Sequence, residues 1–80
     1  MDHVIIYTQE GCTFCDDAKQ LLTNEGIAYS EFKIGKDLTK EDFKSRFPNQ
    51  KTVPFMIADG NQIGGFQQLQ ESVTKKYLAG

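Results

Sequence analysis

Val4-Ile5-Ile6-Tyr7-Thr8-Gln9-Glu10-Gly11-Cys12-Thr13-Phe14-Cys15 runs from an apolar stretch through a polar break to two cysteines with two residues between them. Val4 to Tyr7 are β-branched or aromatic with no polar interruption, the pattern of a short central strand buried on both faces. Thr8 to Gly11 read as a loop. From Thr13 to about Glu25 the apolar period turns helical, with Phe14, Ala18, Leu21 and Leu22 on one face. Asp16 and Asp17 fall in the first turn, where the helix dipole favours anions. Asn24-Glu25-Gly26 is a stop signal, with Gly26 the residue expected to turn left-handed past the helix end. The two cysteines thus sit where a buried strand hands over to a helix.

Outward from there, Ile27 to Ile34 alternates Tyr29, Glu31 and Lys33 with Ala28, Ser30, Phe32 and Ile34, which predicts a second strand with one face better covered. Thr39 with Asp42 three residues on resembles a helix cap, and a short helix through Glu41, Phe43, Lys44 and Phe47 is ended by Pro48. Pro54 to Ala58 and Gln62 to Gly64 flank the turn Asp59-Gly60-Asn61 and predict a hairpin. Leu69, Val73, Tyr77 and Leu78 form a stripe on a last helix from about Gln67 to the C-terminus. The order is β-α-β-α-β-β-α. Its first three elements suit a right-handed parallel crossover, and the whole order predicts an α/β fold with helices on a mixed four-stranded sheet.

Eighty residues are room for one domain, taken as 1–80. At 39% hydrophobic and 25% charged the composition is globular rather than disordered. Nine basic against eleven acidic residues give a net charge of −2, with no basic excess to favour nucleic acid. No stretch nears the roughly 20 apolar residues of a membrane span. The first residues lack the basic start of a secretory signal. One cysteine pair is too little to staple a secreted mini-domain, so a reducing cytoplasm is the expectation. A monomer is expected as well.

The cysteine spacing carries chemistry. Cys12 is expected just before the first helical turn, and Cys15 three residues on brings both sulfurs to the helix N-terminus. Free N–H groups and the dipole there stabilise a thiolate on Cys12, the species that attacks a disulfide. Cys12 would form a mixed disulfide, and Cys15, more recessed, would attack Cys12 and release the product. A zinc site is the rival structural use, but His3, read as a surface residue at a frayed end, is the one further nitrogen or sulfur candidate for the four ligands zinc wants. Two inert small hydrophobes are the bland alternative; a CxxC between strand and helix in a crossover unit points instead to redox chemistry. Asp16 and Asp17 would oppose the Cys12 thiolate if they face it, and Lys19, one turn on, offsets one of them.

Four features in order resemble the glutaredoxin family: Ile5-Ile6-Tyr7-Thr8, Cys12-Thr13-Phe14-Cys15, Thr52-Val53-Pro54 and Gly64-Gly65-Phe66. The resemblance covers essentially the whole chain and implies the compact thioredoxin-like fold. It implies that Pro54 follows a cis bond beside the cysteines, and that the backbone of Val53 pairs with a peptide-like substrate. It implies a glutathione site in which Gly65, Phe66, Gln67 and Gln68 receive the γ-glutamyl end at the start of the last helix. Tyr7, by the same likeness, lies near the site; as a residue alone it reads as a strand-end core aromatic. Glutathione is then the reductant and co-substrate. The clients are protein disulfides or glutathione mixed disulfides, with ribonucleotide reductase as a family-level client.

The sequence departs from the family at informative places. Gln67 and Gln68 stand where an acidic side chain is usual. Gln9 stands where a Lys often meets the glycine carboxylate of glutathione, with Lys51 or Arg46 as candidate substitutes. Thr13 and Phe14 replace the usual Pro and Tyr; Thr13 restores an N–H and adds a hydroxyl that could reach a thiolate. These departures leave open a redoxin reduced by thioredoxin reductase. Because some family members lacking the motif proline hold a [2Fe–2S] cluster between two chains with glutathione, a cluster-binding module also stays open, as does an adaptor that uses the fold for binding alone.

Overall fold

The computed structural model describes residues 2–79, with side chains described for residues 2–74. The elements are β1 (His3–Gln9), α1 (Thr13–Asn24), β2 (Ala28–Ile34), α2 (Lys40–Arg46), β3 (Phe55–Ala58), β4 (Asn61–Gly64) and α3 (Phe66–Ala79). The sheet order is β2-β1-β3-β4. β1 pairs in parallel with β2, from His3 opposite Ala28 to Gln9 opposite Ile34, and antiparallel with β3. The β3–β4 hairpin turns through Asp59 and Gly60, both at positive φ, as a two-residue turn demands. This is the mixed sheet and the element order read from the sequence.

Alternation along β1 divides the interior into two layers. Val4 and Ile6 face α1 and α3, where they pack with Ala18, Leu22, Met56, Leu69 and Val73. The side chains of Tyr77 and Leu78, expected on the same stripe, lie outside the described residues. Tyr7 faces the other way, with Phe43 of α2 and Phe55 of β3. Its ring centroid lies 5.3 Å from Phe43, 5.3 Å from Phe47 and 5.7 Å from Phe32. Aromatic pairs in this range add about 0.5–1.5 kcal/mol each beyond area burial. A strand covered on both faces has no polar side to show, which is why Val4 to Tyr7 is uniformly apolar.

Several local expectations hold and several shift. Gly26 is left-handed at φ 69° beyond α1. Thr39 caps α2, its Oγ1 accepting from the Asp42 N–H at 3.0 Å. Thr8 and Gln9, read as loop, belong to β1. Thr8 is only 1% exposed, and its hydroxyl finds a partner across the parallel pair by donating to Glu31 Oε2 at 2.6 Å. A buried hydroxyl with a partner is tolerated, so a polar letter there did not mark the strand's end. His3 is not at a frayed end: it lies within β1 and its Nε2 is 2.9 Å from Ser30 Oγ. Phe47 caps α2 instead of lying within it, and β3 begins at Phe55, one residue after Pro54.

Candidate active site

Cys12 is the N-cap of α1. Its Sγ accepts from the N–H of Cys15 at 3.1 Å, the bond a Ser or Asp oxygen makes at an ordinary cap. Any negative charge that develops on this sulfur meets that N–H and the positive end of α1. Cys12 and Cys15 are joined by a disulfide with Cα atoms 5.2 Å apart. Cys12 is half-buried, whereas Cys15 is 1% exposed. Only the first sulfur is open to a partner from solution, and the second lies directly behind it. Thr13 is exposed at the first helical position, and the N–H that reaches Cys12 Sγ is that of Cys15.

Phe14 lies on the substrate side, where it was also expected, and not in the core that its helical face suggested. It shares the helical face of Ala18 and Leu22, yet it is 61% exposed. Its ring lies 6.0 Å from that of Phe66 at the start of α3, so it borders the site instead of filling the core. Asp16 is 77% exposed with a carboxylate oxygen 3.7 Å from Lys19 Nζ, and Asp17 is exposed. Lys19 sits closer, at 3.1 Å, to Glu31. The Thr8 hydroxyl, and then the Lys19 ammonium, hold the Glu31 carboxyl below its usual range despite partial burial; the Glu31 bond raises Lys19 in turn.

From the far side of the sequence, the loop before β3 arrives at Cys12. The Val53–Pro54 bond is cis. The Val53 carbonyl oxygen lies 3.8 Å from Cys12 Sγ, a contact since a disulfide sulfur carries no proton. Among the described residues the Val53 N–H has no partner within the chain. Two clefts meet at Thr52 and Val53. One, of about 700 Å³, runs to α3 and is lined also by Phe14, Pro54, Gly65, Phe66, Gln67, Gln68 and Gln70. The other, of about 530 Å³, runs to α2 and is lined also by Gln9, Ile34, Lys40, Phe43, Lys44, Pro48, Gln50 and Lys51.

The start of α3 explains the double glycine. Gly64 has φ 111°, and a Cβ there would lie 3.2 Å from Gln68 Cγ. Gly65 accepts the first helical bond, from Leu69 N–H at 3.1 Å. Gln68 Oε1 accepts from the Gly65 N–H at 3.0 Å, one half of a capping box. Gly65 has no side chain to occupy the first-turn N–H groups of α3, which therefore border the cleft. Of the residues expected here, Gln9, Phe14, Lys51, Thr52, Val53, Pro54, Gly65, Phe66, Gln67 and Gln68 line one cleft or both. Tyr7 lies in the aromatic core. Arg46 lines a separate small cavity with Asn49 and Gln62, so Lys51 alone of the two proposed substitutes shares a cleft with Gln9. Sequence reading missed Lys40 and Lys44; their i, i+4 spacing on α2 was the available signal.

An accessible sulfur capping a helix, a buried partner sulfur behind it and an open substrate-side backbone define a thiol–disulfide oxidoreductase on a thioredoxin-like fold. The glutaredoxin family model matches residues 4–63. Glutaredoxin 3 of Escherichia coli K12 is 35% identical over 69 residues, covering 86% of this chain and 83% of its own. Glutaredoxin 1 from Francisella tularensis, crystallised with cacodylate, superposes with a TM-score of 0.77 at 30% identity, covering 94% of this chain and 95% of its own. Reduced Escherichia coli glutaredoxin superposes at 0.73 and 29% identity, covering 94% and 96%. The chain belongs to the glutaredoxin family. Among the described residues no three His, Cys, Asp or Glu side chains gather as a metal-ligand set.

Proposed function

We propose that the chain is a glutathione-dependent dithiol electron carrier that reduces protein disulfides and glutathione mixed disulfides. The observation that carries this reading is the half-buried Cys12 Sγ against the Val53 carbonyl, where the two clefts meet. Members of the family use glutathione as reductant. In the reduced protein, the Cys12 thiolate attacks one sulfur of the client disulfide and expels the other as a thiolate, which takes a proton. Cys15 then attacks Cys12, releases the second client thiol and leaves the intramolecular disulfide. Glutathione reopens that bond: one molecule forms a mixed disulfide with Cys12, and a second displaces it as glutathione disulfide.

For glutathione on Cys12, the cysteinyl backbone would pair with Val53 as an added strand does. Its γ-glutamyl carboxylate would meet the first-turn N–H groups of α3. The side-chain amide of Gln67 is the group left for the ligand's amino end, because the Gln68 oxygen is taken by Gly65. The glycine carboxylate would lie toward Lys51, which supplies the charge that Gln9 lacks. A reducing compartment such as the cytoplasm keeps this cycle running forward.

The test is a reductant comparison. With NADPH, glutathione and glutathione reductase, the oxidised protein should turn over a glutathione mixed disulfide. Turnover only with NADPH and thioredoxin reductase would overturn the glutathione assignment while leaving the dithiol chemistry in place.

A further inference from the structure

Three of the chain's nine cations line one cleft. Lys40 and Lys44 project from successive turns of α2, and Lys51 stands across from them in the loop before β3. Among the described residues no Asp or Glu lines this cleft. Among the described residues none of the three lysines has an ion-pair or hydrogen-bond partner within the chain. Lys19 and Lys33, by contrast, are paired with Glu31 and Glu10. A protein with net charge −2 has therefore gathered unpaired positive charge on one side of its reactive sulfur. Such a cleft focuses its field on an incoming anion and speeds encounter with it. Among the described residues, the opposite cleft, along α3, is lined by no charged side chain.

We propose that the α2 cleft is the client-docking surface, and that it takes the acidic residues flanking the cysteine of a disulfide-bonded client protein. The inference rests on the dithiol exchange chemistry above and does not require glutathione. Val53 borders both clefts. An extended client segment paired with its free N–H passes Cys12 with one flank toward α3 and the other toward α2. Carboxylates on the second flank meet Lys40, Lys44 and Lys51. A neutral or basic flank gains nothing there, so the cleft sorts clients by charge. The covalent steps are unchanged: two electrons pass from the Cys12–Cys15 dithiol to the client disulfide, and each client thiolate released takes up a proton.

The experiment uses pre-reduced full chain with no glutathione present, mixed with two cystine peptides of equal length. One carries glutamates beside the cysteine and the other carries glutamines. Stopped-flow oxidation gives a second-order rate constant for each, and their ratio is compared between wild type and Lys40→Gln/Lys44→Gln. The comparison cancels any intrinsic effect of glutamate on the peptide's leaving thiolate. The wild-type ratio should exceed the variant ratio about tenfold at low ionic strength, and the two should converge near 0.5 M salt, roughly. Lys51→Gln, from the opposite wall, should give an intermediate ratio. Equal ratios in wild type and double variant would overturn the proposal. So would an equal fractional loss with glutathione disulfide, which would make the occupant the glycine carboxylate. Failure of both peptides to oxidise the wild-type dithiol would remove the exchange chemistry itself, and the docking role with it.

Discussion

The clefts on either side of Val53 share an edge and a reactive sulfur but are built from different parts of the chemistry of proteins. The α3 cleft offers backbone N–H groups, glutamine amides and two phenylalanine faces, with no charged side chain among the described residues. The α2 cleft offers three lysines and the polar ends of Gln9 and Gln50. Backbone donors at a helix start are fixed in place and read the shape of one small ligand. Lysines on flexible stems are poor at shape and good at attracting charge over a distance. One side is thus suited to holding the γ-glutamyl end of the same small molecule in every cycle, and the other, beyond Lys51, to meeting partners that differ in all but sign.

The most severe way to break the comparison is Cys12→Ser, which removes the atom both clefts serve. Exchange with every disulfide should cease, whichever flank it uses, as followed by NADPH consumption in the coupled assay. Next is Gly64→Ala, which strains only the α3 side. An L-residue at φ 111°, with its Cβ against Gln68, should cost about 1–2 kcal/mol in urea unfolding. It should also raise the KM for glutathione while leaving the salt dependence of client reduction as in wild type.

Lys51→Gln acts on the α2 side. It should raise the KM for a glutathione mixed disulfide a few-fold, about 1 kcal/mol at most, since an exposed charge contributes little more. Repeating the measurement at high salt should erase the difference. The smallest effect is expected away from both clefts, at Glu31. Its carboxyl is held low by Thr8 and Lys19, so the folded state is favoured by the ionised form. That contribution is complete above the ordinary value of 4.5 and is lost as pH falls through the lower folded value. Lys19 has the opposite sense: raised above 10.5, it contributes below that pH and is lost as pH rises beyond it. Glu31→Gln should therefore flatten the acid limb of a stability–pH curve by under about 1 kcal/mol and leave neutral-pH exchange rates unchanged.

Much of the scaffold was legible because its signals are local. Strand β1 declared its central place by having no polar face, and Thr39 and Gly26 marked helix ends through their own backbone and side-chain chemistry. The misreadings also have local causes. Periodicity put Phe14 on the face of Ala18 and Leu22 but carried no information on where along that face the core stops. Thr8 looked like loop because its partner, Glu31, comes from a strand 23 residues later. Gln68 does line the α3 cleft as expected, but its bond to Gly65 went unread because it depends on the rotamer adopted in the first turn of α3.

The sequence by itself determined the reactive end of the site. Cys12 caps α1 and Cys15 lies behind it because both belong to one helical turn, whose geometry follows from spacing alone. What faces that sulfur was decided by tertiary structure. The Val53 carbonyl comes from 41 residues away, and Lys40, Lys44 and Lys51 become one surface only when α2 and the loop before β3 pack beside the sheet. Hydrogen bonds within a helical turn reach three or four residues, so they fix a cap. The packing of distant segments, which no short-range pattern encodes, fixes the clefts.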